Sequence, residues 1–149
     1  METPKVVLDT DILVGLLRDV KDIVRFVKRL EEEGIPLATT IINIFELFYG
    51  AYKSKKREKN LKEVKDLADN MEVLYLDIKS SKIAGEILAM LESKGMPIEV
   101  GDVLIAAITL ANDCVLATMN VDHFSRIKKL RIITPTIHSS SSTSEFTFT

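Results

Sequence analysis

Apolar positions in this chain form two kinds of segment in alternation. One kind is a short run rich in Val, Ile and Leu; the other spaces its apolar residues three and four apart. The first run, Val6-Val7-Leu8, reads as a buried central strand and stops at Asp9-Thr10-Asp11. Residues 11–17 then read as a short helix. From Asp19 a second pattern begins, with Val20, Ile23, Val24, Val27 and Leu30 on one face and Lys28, Arg29 and the glutamates 31–33 on the wet side. Gly34 and Pro36 carry the usual stop signals. Leu37-Ala38-Thr39-Thr40 predicts a second strand, residues 41–52 a helix, and residues 61–68 another. Val73-Leu74-Tyr75-Leu76 predicts a third strand, ending in Asp77.

Residues 83–91 place Ile83, Ile87, Leu88 and Leu91 on one helical face, and residues 93–97 end that helix. Residues 101–111 are apolar on nearly all sides, which predicts a helix buried in the core. Val115-Leu116-Ala117 reads as a fourth strand, residues 125–130 as a turn or short helix, and residues 131–134 as a last strand closed by Pro135. Strands alternating with helices predict an α/β fold with a mostly parallel sheet, in one domain over residues 1–135. Residues 136–149 form a Ser/Thr-rich tail read as flexible, in which Phe146-Thr147-Phe148 alternates like an edge strand.

Composition narrows the classes. A net charge of −2 lacks the basic excess of an ordinary nucleic-acid binder, so any such contact needs a local patch or metal ions. The one basic cluster, residues 53–59, reads either as a solvated turn and helix start or as a phosphate-contacting patch. Cys114 is the sole cysteine and precedes an apolar run, which predicts a buried small hydrophobe and a reducing, cytoplasmic setting. No apolar run approaches the ~20 residues of a membrane span, and no basic-then-apolar leader opens the sequence. Lys and Glu are abundant while Gln and Trp are absent, a pattern that leans towards a thermophilic, archaeal source.

The chemistry gathers where strands end. In open parallel sheets ligands bind beyond the carboxyl ends of the strands. Asp9 follows the first strand; Thr118, Asn120 and Asp122 follow the fourth. Asp9 or Asp11 also suits a plain helix cap. Glu46 is the one acid on an otherwise apolar and aromatic helix, on a narrow stripe with Asn43 and Gly50 that fits a cleft or a surface equally. Asp102 lies in the first turn of the buried helix, where it suits the helix dipole and can also aim at the sheet edge. His123 could be a ligand, but a lone His beside Phe124 reads first as a packing or surface residue. Converging carboxylates repel, so some would take up protons unless a hard cation such as Mg²⁺ or Mn²⁺ joined them. No phosphate-binding glycine loop and no Ser-His-Asp or Cys-His grouping competes.

Four segments together resemble the successive motifs of PIN-domain proteins, and most of all the VapC-type toxins of prokaryotic toxin–antitoxin pairs. They are residues 8–11 (Leu-Asp-Thr-Asp), Thr39-Thr40 with residues 44–50, residues 101–107, and residues 116–120 with His123-Phe124. The resemblance implies a three-layer α/β/α fold around a five-stranded sheet of order 3-2-1-4-5. It implies a metal-dependent endoribonuclease with Asp9 and Asp102 as metal ligands and Glu46 as a further acid. Thr10 and Thr118 would hold the site by hydrogen bonds, and Asp11 would support it where family members often carry Asn. The family's last motif often has acids where this chain has Asn120 and His123; Asp122 lies one residue before the histidine, and Asn120 and Asp122 join the candidate catalytic set. It further implies a homodimer or higher homo-oligomer, RNA as substrate and a small antitoxin as partner. Two other readings stand beside it. One is a PIN fold kept as a non-catalytic RNA-binding or assembly module. The other is a haloacid-dehalogenase-like phosphatase, which shares the strand-Asp-x-Asp start but expects a Thr where Ile12-Leu13 follow and a late acidic pair missing here.

Overall fold

A computed structural model describes residues 3–137. The elements run β1 (Val6–Leu8), α1 (Thr10–Leu17), α2 (Lys21–Glu32), β2 (Leu37–Thr40), α3 (Ile41–Lys53), α4 (Arg57–Asn70), β3 (Glu72–Leu74), α5 (Ile78–Ser93), α6 (Val100–Ala111), β4 (Val115–Ala117), α7 (Val121–Phe124) and β5 (Ile132–Ile133). The five strands pair in parallel in the order β3-β2-β1-β4-β5. Side chains alternate across a strand, so β1 feeds two cores. Val6 and Leu8 pack with Ile12, Leu13, Ile23, Leu47 and Val64 on one face of the sheet. Val7 packs with Leu91, Ile105, Ala106 and Phe124 on the other. Helices therefore cover both faces, and the architecture is the expected α/β/α sandwich.

Chain order explains where a site can form. From β1 the chain moves one way to β2 and β3, then returns to place β4 on the opposite side of β1. The crevice beyond the carboxyl ends of β1 and β4 is thus the topological switch point, the place where such sheets bind ligands. Both strands are very short, so their first residues beyond the ladder, Asp9 and Thr118, stand side by side at that edge.

Several boundaries differ from the sequence pattern, each for a physical reason. Asp19 does not open α2: its φ is +56°, and α2 starts two residues later. Strand β3 stops at Leu74 because Leu74 pairs with Thr40, after which β2 turns straight into α3. Tyr75 and Leu76 thus have no neighbouring strand. Helix α5 starts at Ile78, well before its first apolar repeat, because Asp77 and Ser80 cap it reciprocally. Residues 125–130, expected as a turn or short helix, are turns, and the short helix α7 lies just before them. Cys114 is buried as expected. The expectations for residues 138–149 lie outside the described residues. Among the described residues no helix is long and apolar enough to cross a membrane.

Candidate active site

Asp9 is the hub of the switch-point crevice. It is only 6% exposed, and the three partners of its carboxylate come from separate segments of the chain. Its Oδ1 accepts the backbone N–H of Thr10 at 2.8 Å, which caps α1, and the side-chain amide of Asn43 on α3 at 3.0 Å. Its Oδ2 accepts the Thr118 hydroxyl at 2.6 Å. The cap and the site are therefore one residue: one oxygen serves α1, the other faces β4.

Asn43 is free to reach Asp9 because of how α3 begins. Thr40 ends β2 and caps α3; its backbone N–H and hydroxyl both donate to Asn43 Oδ1, while the Asn43 N–H donates to Thr40 Oγ1. That fixes the amide so that Nδ2 points at Asp9 Oδ1 and at Thr10 Oγ1, 2.9 Å away. The Thr10 hydroxyl in turn donates to Glu46 Oε1 at 2.5 Å. Asn43 and Glu46 share one face of α3, three residues apart. The narrow polar stripe on that helix is thus an inner cleft wall. Glu46 Oε2 leans on α6, where a Cβ on Gly101 would come within 3.2 Å of it.

The β4 side closes the group. Thr118 Oγ1 accepts the Asn120 N–H at 3.0 Å, and Asp11 Oδ2 accepts the Met119 N–H at 2.9 Å. Asn120 Nδ2 lies 3.0 Å from His123 Nδ1, and that ring nitrogen lies 3.6 Å from Asp102 Oδ2. His123, read from sequence as packing or surface, therefore connects α7 to α6. Asp122 is the expected site residue that is not brought in. It is exposed on α7, and among the described residues no contact links its side chain to the cluster. The reason is helical: one residue along α7 turns the side chain by about 100°, so His123 faces the cleft and Asp122 faces away.

The carboxylates strain against one another. Burial raises the Asp9 pKa, against the pull of its three hydrogen bonds. Burial, and then the Asp9 charge, pushes Asp11 up to about 7. Burial raises Glu46, which the Thr10 bond opposes and the charges of Asp9, Asp102 and Glu99 reinforce. Burial also raises Asp102, with Asp9 adding to it and His123 relieving it. Asp11 Oδ1 is in addition a buried oxygen with no hydrogen-bond partner. Asn43 and the Glu99 charge are the participants that sequence reasoning did not assign. For Asn43 the signal was present, in the Thr-x-x-Asn spacing at the strand end and its place on the Glu46 stripe. For Glu99 there was none.

Among the described residues, no three His, Cys, Asp or Glu side chains converge into a ready metal cage. That does not disqualify a hard cation. Mg²⁺ keeps several waters and is commonly held by one or two carboxylates plus substrate phosphates. An all-oxygen donor set in which burial, and then the Asp9 charge, raises the pKa of Asp11, Glu46 and Asp102 fits such an ion, because an added positive charge favours the ionised carboxylates.

A PIN domain family model matches residues 6–130. The chain belongs to the PIN-domain family. This PIN-domain chain is 32% identical to ribonuclease VapC2 of Rickettsia felis over 123 residues, covering 83% of the chain and 92% of the relative. It is 31% identical to the tRNA(fMet)-specific endonuclease VapC of Salmonella typhimurium over 128 residues, covering 86% and 96%. Its fold superposes on the crystal structure of VapBC2 from Rickettsia felis bound to a DNA fragment from their promoter. The TM-score is 0.79 at 29% identity, over 87% of this chain and 97% of that one. These relatives are bacterial and lend no support to the archaeal source that composition suggested.

Proposed function

We propose that this PIN-domain chain is an endoribonuclease of the VapC type. It hydrolyses RNA phosphodiester bonds with Mg²⁺ or Mn²⁺ and is restrained by a small antitoxin protein. The observation that carries the proposal is Asp9: a buried carboxylate held by three hydrogen-bond donors from three segments of the chain, at the switch point, with Glu46 and Asp102 close enough that its charge adds to the burial that raises the pKa of both. The names of the relatives support RNA as the substrate.

Asp9 and Asp102 would hold the ion. When bound, it would neutralise the substrate phosphate, lower the pKa of an attacking water and steady the leaving oxygen. Thr118 and Asn43 fix the Asp9 carboxylate, so its orientation costs nothing at the moment of reaction. Thr10 fixes Glu46 through Oε1 and leaves Oε2 towards α6. Burial raises the proton affinity of Glu46, which suits it to take a proton from water. Asn120, tied to His123 and Thr118, forms the polar rim on the β4 side. Asp11 supports the crevice from behind, through Met119. The protein would act in the cytoplasm, as a homodimer of the kind the family resemblance implies, and light scattering on the purified chain tests its mass.

The deciding experiment incubates purified protein and its Asp9→Asn variant with mixed structured RNA in EDTA, Mg²⁺ or Mn²⁺. Cleavage that needs metal and vanishes in the variant is expected. Equal inactivity of both proteins in every metal would overturn the enzymatic reading in favour of a non-catalytic module.

A further inference from the structure

Helix α3 carries more than Glu46. Tyr49 and Lys53 follow Glu46 by three and seven residues, with Gly50 between them, and so continue the same stripe away from the crevice. Glu46 to Lys53 is about 10 Å along the helix. Tyr49 is 58% exposed, and Phe45 and Tyr52 on its shoulder are 65% and 57% exposed. The Lys53 ammonium lies 5.0 Å over the Tyr49 ring centroid. Beyond Lys53 the stripe opens into a cleft of about 520 Å³ between the ends of α1 and α3, lined in part by Ser54, Lys55, Lys56 and Lys59. Lys59 pairs with Glu63, whereas among the described residues Lys53, Lys55 and Lys56 have no carboxylate partner.

Three exposed aromatic rings, beside lysines with no carboxylate partner among the described residues, form a patch of the kind that marks an interaction site. They match what binds an unpaired nucleic-acid strand: flat faces for bases, ammonium groups for phosphates. A protein-binding patch would instead deplete lysine at its centre. The geometry points to an RNA-docking stripe on α3, in which Tyr49 stacks an unpaired base next to the cleaved bond and Lys53, Lys55 and Lys56 hold the phosphates beyond it. This rests on the ribonuclease reading and extends it. It also explains how a chain of net charge −2 accepts a polyanion: the cation demand at the crevice falls to metal, and the remaining strand lies on this local basic end. Tyr49 and Lys53 are thus positioning residues, and they favour unpaired RNA over duplex, whose bases cannot stack on a side chain.

The test uses a short fluorescein-labelled unpaired RNA of mixed sequence, and the same RNA annealed to its complement. The full chain carries Asp9→Asn so that nothing is cut. In that background Tyr49→Leu lowers affinity for the unpaired probe about tenfold. Tyr49→Phe, which keeps the ring, holds it within about twofold. Lys53→Ala flattens the salt dependence by about 0.7 in the log–log slope. In the cleaving protein Tyr49→Leu raises KM about tenfold and leaves kcat within about twofold, as expected for lost uniform binding. Unchanged probe affinity of Tyr49→Leu overturns the stripe even if the parent cuts RNA. If the parent cuts no RNA in any metal while Tyr49→Leu still loses the probe, the ribonuclease reading falls and the stripe stands. Retained probe binding, with loss of co-purification with an antitoxin encoded beside it, overturns RNA as occupant and gives the stripe to that protein.

Discussion

Replacing Asp11 with Asn tests the electrostatics of the crevice without touching a proposed metal ligand. The Asp11 carboxyl rises from 3.8 to about 7, first through burial and then through the Asp9 charge. A folded-state pKa above the unfolded one means that the folded chain binds a proton more tightly between those two values. Stability therefore falls as pH rises from about 4 to about 7, and the penalty is complete above 7. The full span corresponds to about 4 kcal/mol as a ceiling, of which about 2–3 kcal/mol falls between pH 5 and pH 8. Asn carries no charge and still presents an oxygen to the Met119 N–H, which now bonds Asp11 Oδ2 at 2.9 Å. Urea unfolding of both proteins at pH 5 and pH 8, without divalent ions, reads the difference. Relative to the parent, Asp11→Asn gains about 2–3 kcal/mol on going from pH 5 to pH 8, whatever the constant offset between the two proteins. Parallel stabilities at the two pH values would refute the claim that a strained carboxylate sits behind Asp9.

Three further outcomes are expected. Thr118→Val removes the hydroxyl that donates to Asp9 Oδ2 and accepts from the Asn120 N–H, in a position with no solvent. It should cost about 2–4 kcal/mol in urea unfolding and lower the cleavage rate. Gly15→Ala places a Cβ 2.7 Å from Ile23 Cγ1, a fully buried side chain that cannot retreat. Overpacking of about 1–3 kcal/mol should outweigh the roughly 1 kcal/mol helix gain and lower the melting temperature by a few degrees. Saturating Mg²⁺ or Mn²⁺ should raise the melting temperature of the parent, by about 2.7 kcal/mol of stabilisation at a hundredfold excess over Kd, and Asp9→Asn should abolish the rise.

The fold was legible because its signals are local. Val6-Val7-Leu8 and Val115-Leu116-Ala117 are apolar on both faces, as strands covered by helices on both sides must be. The apolar spacing of residues 20–30 marked the buried face of α2. Boundaries were less legible where a cap, a positive φ or a missing neighbour overrode periodicity, as at Asp77, Asp19 and Tyr75. Asp9, Glu46 and Asp102 announced themselves as acids at strand ends or on apolar helices. Asn43 was marked only by its Thr-x-x-Asn spacing and its place on the Glu46 stripe, and its bond to Asp9 came from the fold, since an amide gains a role only from what it touches.

What this sequence determined by itself was the list of segments and the strand-end acids, because period, capping and β-branching act over a few residues. What only the tertiary structure decided was which of those acids meet. The return of β4 to the far side of β1 sets Thr118, 109 residues away, against Asp9. The 100° step along α7 turns His123 inward and Asp122 outward. Both depend on chain crossings and helix phase, and no local pattern of residues encodes either.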